Sequence, residues 1–427
     1  MKKNGRKRRK RVLLRLQYVL TGAAVVCVAV IALLLVHTLG DNEISGPGGN
    51  AGSALLASGG NAFAAAGEEA AQMAVPVVSE DATAGQEKNG NDEMPDDVEE
   101  ITRSSPEELA AESGVPRIRI VLDPGHGGPG TTDEQELGAK YRDTFEKYLT
   151  LKIAQAAGQE LSTYGNVEVL YTRETDKAMT LKERAAYAKA VDGDYLISFH
   201  LNASEEHNFF GSEVFTSAFG SYYAWGKGVG DQVLKQLEAD GFVSKGVKTR
   251  LGRKGADYYG VIRESKEQGI PAIIIEHGYM DQDGDWSRMD TDEKLIQLGK
   301  SDAAGIAAFF GLQKGKNLSE LPAADTTEPV SSPVRPDTTD PVNVYYTLTR
   351  QDTANAQITL HAEDPDSRVM YYDYSMDAGA TWSELYLWPE ETGEDITFML
   401  PVMEAEEAEL LIRAYNTYEL RTEAVKK

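Results

Sequence analysis

Cysteine is almost absent. Cys27 is the only one in 427 residues, so no disulfide can form within the chain and stability has to come from packing. An oxidising exterior remains open as a location without being required. Acidic residues are missing from Met1–Arg15, which holds nine Lys or Arg, and every charge is missing from Tyr18–Val36. About 19 apolar residues at roughly 1.5 Å each reach about 28 Å, enough to cross a hydrocarbon core. A basic cluster ahead of such a run predicts one membrane helix with the basic tail in the cytoplasm. The alternative, a cleavable signal peptide, has an apolar part of only about 7–15 residues and ends at a small-residue site. Cys27 follows Val26 where a lipoprotein signal needs a small residue, and reads as a packing residue. Excess positive charge is missing elsewhere. The formal net charge is −25 in spite of that basic tail, which argues against nucleic acid as a partner.

Aromatic residues are scarce from Asp41 to Gly114, a stretch of Ala, Gly, Ser, Asn and acids that cannot bury enough apolar surface to fold. The expected organisation is a cytoplasmic tail (1–15), a transmembrane signal anchor (16–38), a disordered tether (39–115), an α/β domain (116–313), a Thr/Pro-rich linker (314–341) and a β domain (342–427). Within 116–313 strand-like and helix-like patterns alternate. Ile118–Leu122, Val167–Tyr171, Tyr195–Phe199 and Ala272–Ile275 read as strands. Leu149, Ile153, Ala157 and Leu161 share a helix face, and Leu181–Val191, Trp225–Leu237 and Glu293–Phe310 read as further helices. This order predicts an α/β domain with a mixed, mostly parallel sheet flanked by helices. From Val342 on, six short strand patterns predict a small all-β, immunoglobulin-like sandwich. Ser375–Trp382 within it resembles the Asp-box hairpin, a single copy of which makes no propeller.

Histidine is scarce too, with six in the chain, so where each one falls carries information. His126 sits on the glycine-rich turn Asp123-Pro-Gly-His-Gly-Gly128 directly after an apolar strand. An imidazole at the mouth of a sheet, on a backbone with little bulk around it, is well placed to bind a metal and leave room for a substrate. Glu146-Lys147 heads a helical pattern, Ser198-Phe-His-Leu-Asn-Ala203 follows an apolar strand, and Ile273-Ile-Ile-Glu-His-Gly278 follows Pro271. Strand ends of such sheets are where ligands bind, and His126, His200 and Glu276 all fall there.

Taken in order, these segments resemble the zinc-dependent N-acetylmuramoyl-L-alanine amidases, which cut the bond between glycan and stem peptide in bacterial cell walls. The resemblance covers roughly Arg117 to Leu312. It also includes Glu146-Lys-Tyr-Leu-Thr-Leu-Lys-Ile-Ala154, Tyr171-Thr-Arg-Glu-Thr-Asp176, Leu181-Lys-Glu-Arg184 and Val261-Ile-Arg-Glu-Ser265. It implies one Zn2+ held by His126, Glu146 and His200, with Glu276 as general base. It further implies Arg263 facing the site from an adjacent strand to pair with a substrate carboxylate, and Asn202 donating to the substrate from the loop after His200. Two histidines and a carboxylate suit zinc, which keeps a fourth position for water. Each assignment has an ordinary alternative. A histidine can simply close a turn, and an acid in the first turn of a helix is favoured by the dipole in any case. Glu134 and Glu136 compete with Glu146 for alignment, and His277 is either a supporting donor or a residue of the opposite strand face. Arg173 and Arg184 read as structural ion-pair residues.

The implied partners are peptidoglycan as substrate and the membrane through the N-terminal helix, with the catalytic domain on the extracytoplasmic side of the cell membrane. The stretch from Glu205 to Val261 holds one predicted helix that the core fold already uses, leaving little chain to plug the groove, so no protein activator is expected. Two other readings compete: a non-catalytic peptidoglycan-binding or regulatory protein, and a zinc amidohydrolase acting on another peptide.

Overall fold

The computed structural model describes residues 117–130, 134–204, 208–319 and 328–427. The expected tail, anchor and tether, together with His37 and His207, lie outside the described residues. Among the described residues no helix is long and apolar enough to cross a membrane.

The first strand, β1 (Ile118–Pro124), is apolar and buried along nearly its whole length, as expected of a strand covered on both faces. A short helix α1 (Glu134–Leu137) and the two-residue strands β2 (Lys140–Tyr141) and β3 (Thr144–Phe145) lead into α2 (Glu146–Leu161). There follow β4 (Val167–Tyr171), α3 (Leu181–Ala190), β5 (Tyr195–Asn202), β6 (Ser212–Thr216), α4 (Gly220–Ala239), β7 (Ser244–Lys248), α5 (Gly260–Glu267), β8 (Ala272–Tyr279), α6 (Asp283–Trp286) and α7 (Asp292–Phe310). The sheet order is β4-β1-β5-β8-β6-β7. All neighbours are parallel except β6, which runs antiparallel to β8. The expected mixed, mostly parallel sheet with helices on both faces is therefore present. Strands β6 and β7 are additions to the sequence-based reading, and Val261–Ser265 belongs to a helix rather than a strand.

One face of the sheet packs against α2, α4 and α7 through Leu149, Ile153, Val229, Val233, Leu298 and Ile306. Helix α7 comes very close to its neighbours. A Cβ on Gly299 would lie 2.3 Å from the Ile153 carbonyl oxygen, and one on Gly305 would lie 2.7 Å from the Val233 Cα. The other face carries α3 and α5 on Val121, Ala188, Leu196, Val261 and Ile274. Thr180 and Glu183 form a reciprocal capping box that starts α3.

The C-terminal region is all β. Its strands are β9 (Val342–Arg350), β10 (Ala356–Glu363), β11 (Val369–Ser375), β12 (Tyr386–Leu387), β13 (Asp395–Leu400), β14 (Leu411–Asn416), β15 (Arg421–Glu423) and β16 (Val425–Lys426). They form two four-stranded sheets, β13-β10-β9-β16 and β12-β11-β14-β15, around a shared core of Ile358, Leu360, Trp388, Ile412 and Ala414. The pattern from Trp382 to Trp388 yields only the short β12. Asp377 accepts from the Thr381 amide at 2.8 Å, which closes the Asp-box turn, and Arg413 covers the Trp382 ring at 3.3 Å from its centroid.

This region is not suspended from the α/β one. Phe209 and Tyr279 of the α/β region share a buried cluster with Met370, Tyr371, Leu385 and Tyr415. The Tyr371 hydroxyl donates to the Phe210 carbonyl. The described parts of the connecting segment lie along the α/β surface. There the Val334 amide donates to the Ala218 carbonyl at 2.9 Å, and Thr249 Oγ1 donates to the Val334 carbonyl at 2.8 Å.

Candidate metal centre and active site

The Asp123–Gly128 turn needs its glycines. A Cβ on Gly125 would sit 2.4 Å from the His200 ring, and Gly127 and Gly128 take φ of 112° and 137°. His126 itself has φ 60°, in the left-handed region that side-chain-bearing residues rarely enter. Three buried groups hold the turn in this shape. Arg173 donates to the carbonyls of Pro124 at 3.0 Å and Gly125 at 2.7 Å. Arg184 donates to the His126 carbonyl at 2.5 Å and pairs with Asp123 at 2.6 Å, while Asp123 also accepts from Thr172 and Ser198. Burial alone would raise the Asp123 carboxyl, but Arg184 and the two hydroxyls outweigh it and hold it below its ordinary value. Arg184 thus makes the ion pair that the sequence suggests, whereas Arg173 holds backbone carbonyls instead.

Glu146, at the head of α2, meets both histidines. Its Oε2 is 3.1 Å from His126 Nε2 and its Oε1 is 3.0 Å from His200 Nδ1. The amides of Ala139 and Leu201 donate to the same two oxygens at 2.9 and 3.0 Å. One potential ligand atom from each of the three side chains lies within 4.8 Å of the others, and this is a group that could hold a metal ion. Burial would raise Glu146, yet the two histidines keep it well below the usual carboxylate range, while burial lowers the His200 imidazole. An ionised carboxylate beside a neutral imidazole is the donor chemistry a cation requires. The competing Glu136 is committed elsewhere, since its Oε2 accepts from the Gly130 amide at 2.6 Å.

Glu276 stands directly opposite His200 in the parallel β5–β8 pairing, and Glu213 stands opposite Glu276 in the antiparallel β8–β6 pairing. His200, Glu276 and Glu213 therefore form a row across one face of three strands. Glu276 Oε2 is buried with no hydrogen-bond partner. Burial and the nearby Glu146 and Glu213 charges push this carboxyl well above its ordinary value. Such a group at a sheet mouth is a candidate for a reactive residue.

A model of the N-acetylmuramoyl-L-alanine amidase family matches residues 120–308. The endolysin of Bacillus phage SPP1 is 30% identical over 197 residues, which make up 46% of this chain and 67% of the phage protein. The chain belongs to the N-acetylmuramoyl-L-alanine amidase family. The amidase CwlM of Bacillus licheniformis is 28% identical over 198 residues, 46% of this chain and 70% of that protein. Cwp6 from Clostridium difficile, a solved structure, shares 30% identity with a TM-score of 0.41, over 47% of this chain and 30% of that one.

Two residues of this amidase, Arg263 and Asn202, stand otherwise than the sequence suggests, and His277 fulfils both of its alternatives at once. Arg263 projects from α5, not from a strand. Its guanidinium donates to the backbone carbonyls of Asp257 at 3.2 Å and Tyr258 at 3.0 Å and lies 3.6 Å from Glu264. Asn202 is the last residue of β5 rather than part of the loop, and its amide donates to Glu213 Oε1 at 2.7 Å. His277 points to the face opposite Glu276, where its Nδ1 donates to the His200 carbonyl at 2.9 Å and its Nε2 bonds Asp302 at 2.8 Å. Burial would lower His277, but Asp302 and the carbonyl raise it. With both ring nitrogens turned to acceptors, His277 fixes the backbone of His200.

Glu213 escaped sequence reasoning. It is buried beside Lys245 and Lys248, and although burial would raise it, the two ammoniums hold it below its ordinary value. The signal was the one that exposes Glu276: an acid inside an apolar strand, here Glu213-Val-Phe215.

Proposed function

We propose that this chain is a cell-wall hydrolase that cleaves the amide bond between N-acetylmuramic acid and L-alanine of the stem peptide in peptidoglycan, using one zinc ion. The observation that carries this reading is the pre-assembled His126–Glu146–His200 triad with Glu276 beside it, whose Oε2 is buried without a hydrogen-bond partner. The donor set fits zinc, for which two imidazoles and one carboxylate are a known catalytic combination. When bound, zinc supplies Lewis acidity that polarises the amide carbonyl and lowers the pKa of water. Glu276 acts as general base. It takes a proton from the attacking water as the new C–O bond forms, then delivers it to the leaving nitrogen as the C–N bond breaks.

Substrate binding by Asn202 and Arg263 is part of the proposal, with Arg263 reaching the groove from its helix. So is presentation of the catalytic region outside the cell through the N-terminal apolar run. Digesting purified peptidoglycan with the full-length protein in detergent tests the reaction. Free stem peptides and unsubstituted glycan by mass, lost with a chelator and restored by zinc, are expected; muropeptides with the lactyl-alanine bond intact would overturn it. Protease shaving of intact cells, which should remove the catalytic region, checks the location.

A further inference from the structure

The two buried ammoniums behind the active site are not balanced by the catalytic region alone. Lys245 and Lys248 are each nearly fully buried, and Glu213 is the carboxylate they share, with Lys248 in direct contact and Lys245 at 3.9 Å. The missing negative charge arrives from the β region. The hairpin tip between β14 and β15 places Glu419 against Lys245 Nζ and the Tyr279 hydroxyl, and turns the Thr417 carbonyl to Lys248 Nζ. Lys245 also donates to the Tyr279 hydroxyl at 2.6 Å.

The hairpin is built for this placement. Glu419 has φ 68°, and Asn416 pins the tip by accepting from the amides of Tyr418 and Leu420 at 3.0 Å each and donating to Asp337 and Asp364. With Glu419 in place, two ammoniums face two carboxylates, and the second oxygen of Glu213 is left to hold the Asn202 amide. Without it, Glu213 is the one carboxylate left within 4.0 Å of the buried Lys245 ammonium among the described residues, which draws that carboxylate away from Asn202 and out of its row with Glu276.

We propose that Glu419 is a positioning residue for the amide hydrolysis. By satisfying Lys245 it keeps Glu213 on Asn202 and beside Glu276, so the β region completes the active site. The proposal rests on the amidase reading. In the full-length protein, Glu419→Gln keeps size and hydrogen bonding but removes the charge. On soluble peptidoglycan fragments it should lower kcat about tenfold or more while KM, zinc content and melting temperature stay near the parent's. The double substitution Lys245→Met with Glu419→Met removes both charges together and should recover most of the lost kcat. Parental kcat in Glu419→Gln, a double variant no faster than the single one, or failure of both variants to fold would each overturn the proposal. An inactive parent would instead sink the amidase reading, and separates the two failures.

Discussion

His126 occupies a backbone conformation usually left to glycine, and the guanidiniums of Arg173 and Arg184 hold it there by capturing the carbonyls around it. The chemistry beyond that turn is divided among few side chains, and each division can be measured. Glu276→Gln should keep bound zinc and fold yet lower turnover by about 10²-fold or more; equal rates with confirmed metal content would remove Glu276 from the mechanism. His126→Ala and His200→Ala should each lose zinc and activity together, since each deletes one of the three proposed ligands. Asp123→Asn breaks a buried pair with Arg184, with an expected loss of about 3–5 kcal/mol in urea unfolding at neutral pH. The sign with pH follows from its depressed carboxyl. Its contribution is complete above the unfolded value, near 3.9, and disappears as pH falls through the lower folded value. The gap between parent and variant should therefore shrink in strong acid, and a gap that stays constant to pH 2 would contradict the assignment.

The elements of the catalytic region were legible because apolar runs and the spacing of Leu149, Ile153, Ala157 and Leu161 express burial directly. The segments that carry His126, Glu146 and His200 were legible as one group, with Glu146 preferred to Glu134 and Glu136, although Asn202 was read as part of a loop and ends a strand. Strand β7 was not, because Ser244-Lys-Gly-Val-Lys248 has two lysines where an apolar strand would be expected, and those lysines are buried only by partners far along the chain. Arg263 was misplaced for a related reason: Val261-Ile262 is equally apolar in a strand and on the inner face of a short helix. Helix packing offers its own test. Gly299 lets α7 touch α2, whose first residue is Glu146, so Gly299→Ala should cost about 1–3 kcal/mol through overpacking. Zinc affinity should fall with it if the helix carries the strain to its head; unchanged stability would show that α7 can back away freely.

At the level of the molecule, Phe209, Tyr279, Tyr371 and Tyr415 make one buried cluster out of two regions. Calorimetry of the full-length protein should accordingly show catalytic and β regions melting in a single transition, whereas two well-separated transitions would mean that the cluster and the Glu419 contact add little. Sequence patterns foretold both regions but not their union, because a contact between distant hydrophilic residues leaves no local periodicity. The contact of Lys245 with Glu419 spans 174 residues. A ribosome adding about 5–20 residues per second needs roughly 9–35 s to cover that interval. Each newly made molecule thus passes through a period in which the residues of its wall-cutting chemistry exist before the charge that steadies them, a slower enzyme ahead of the finished one.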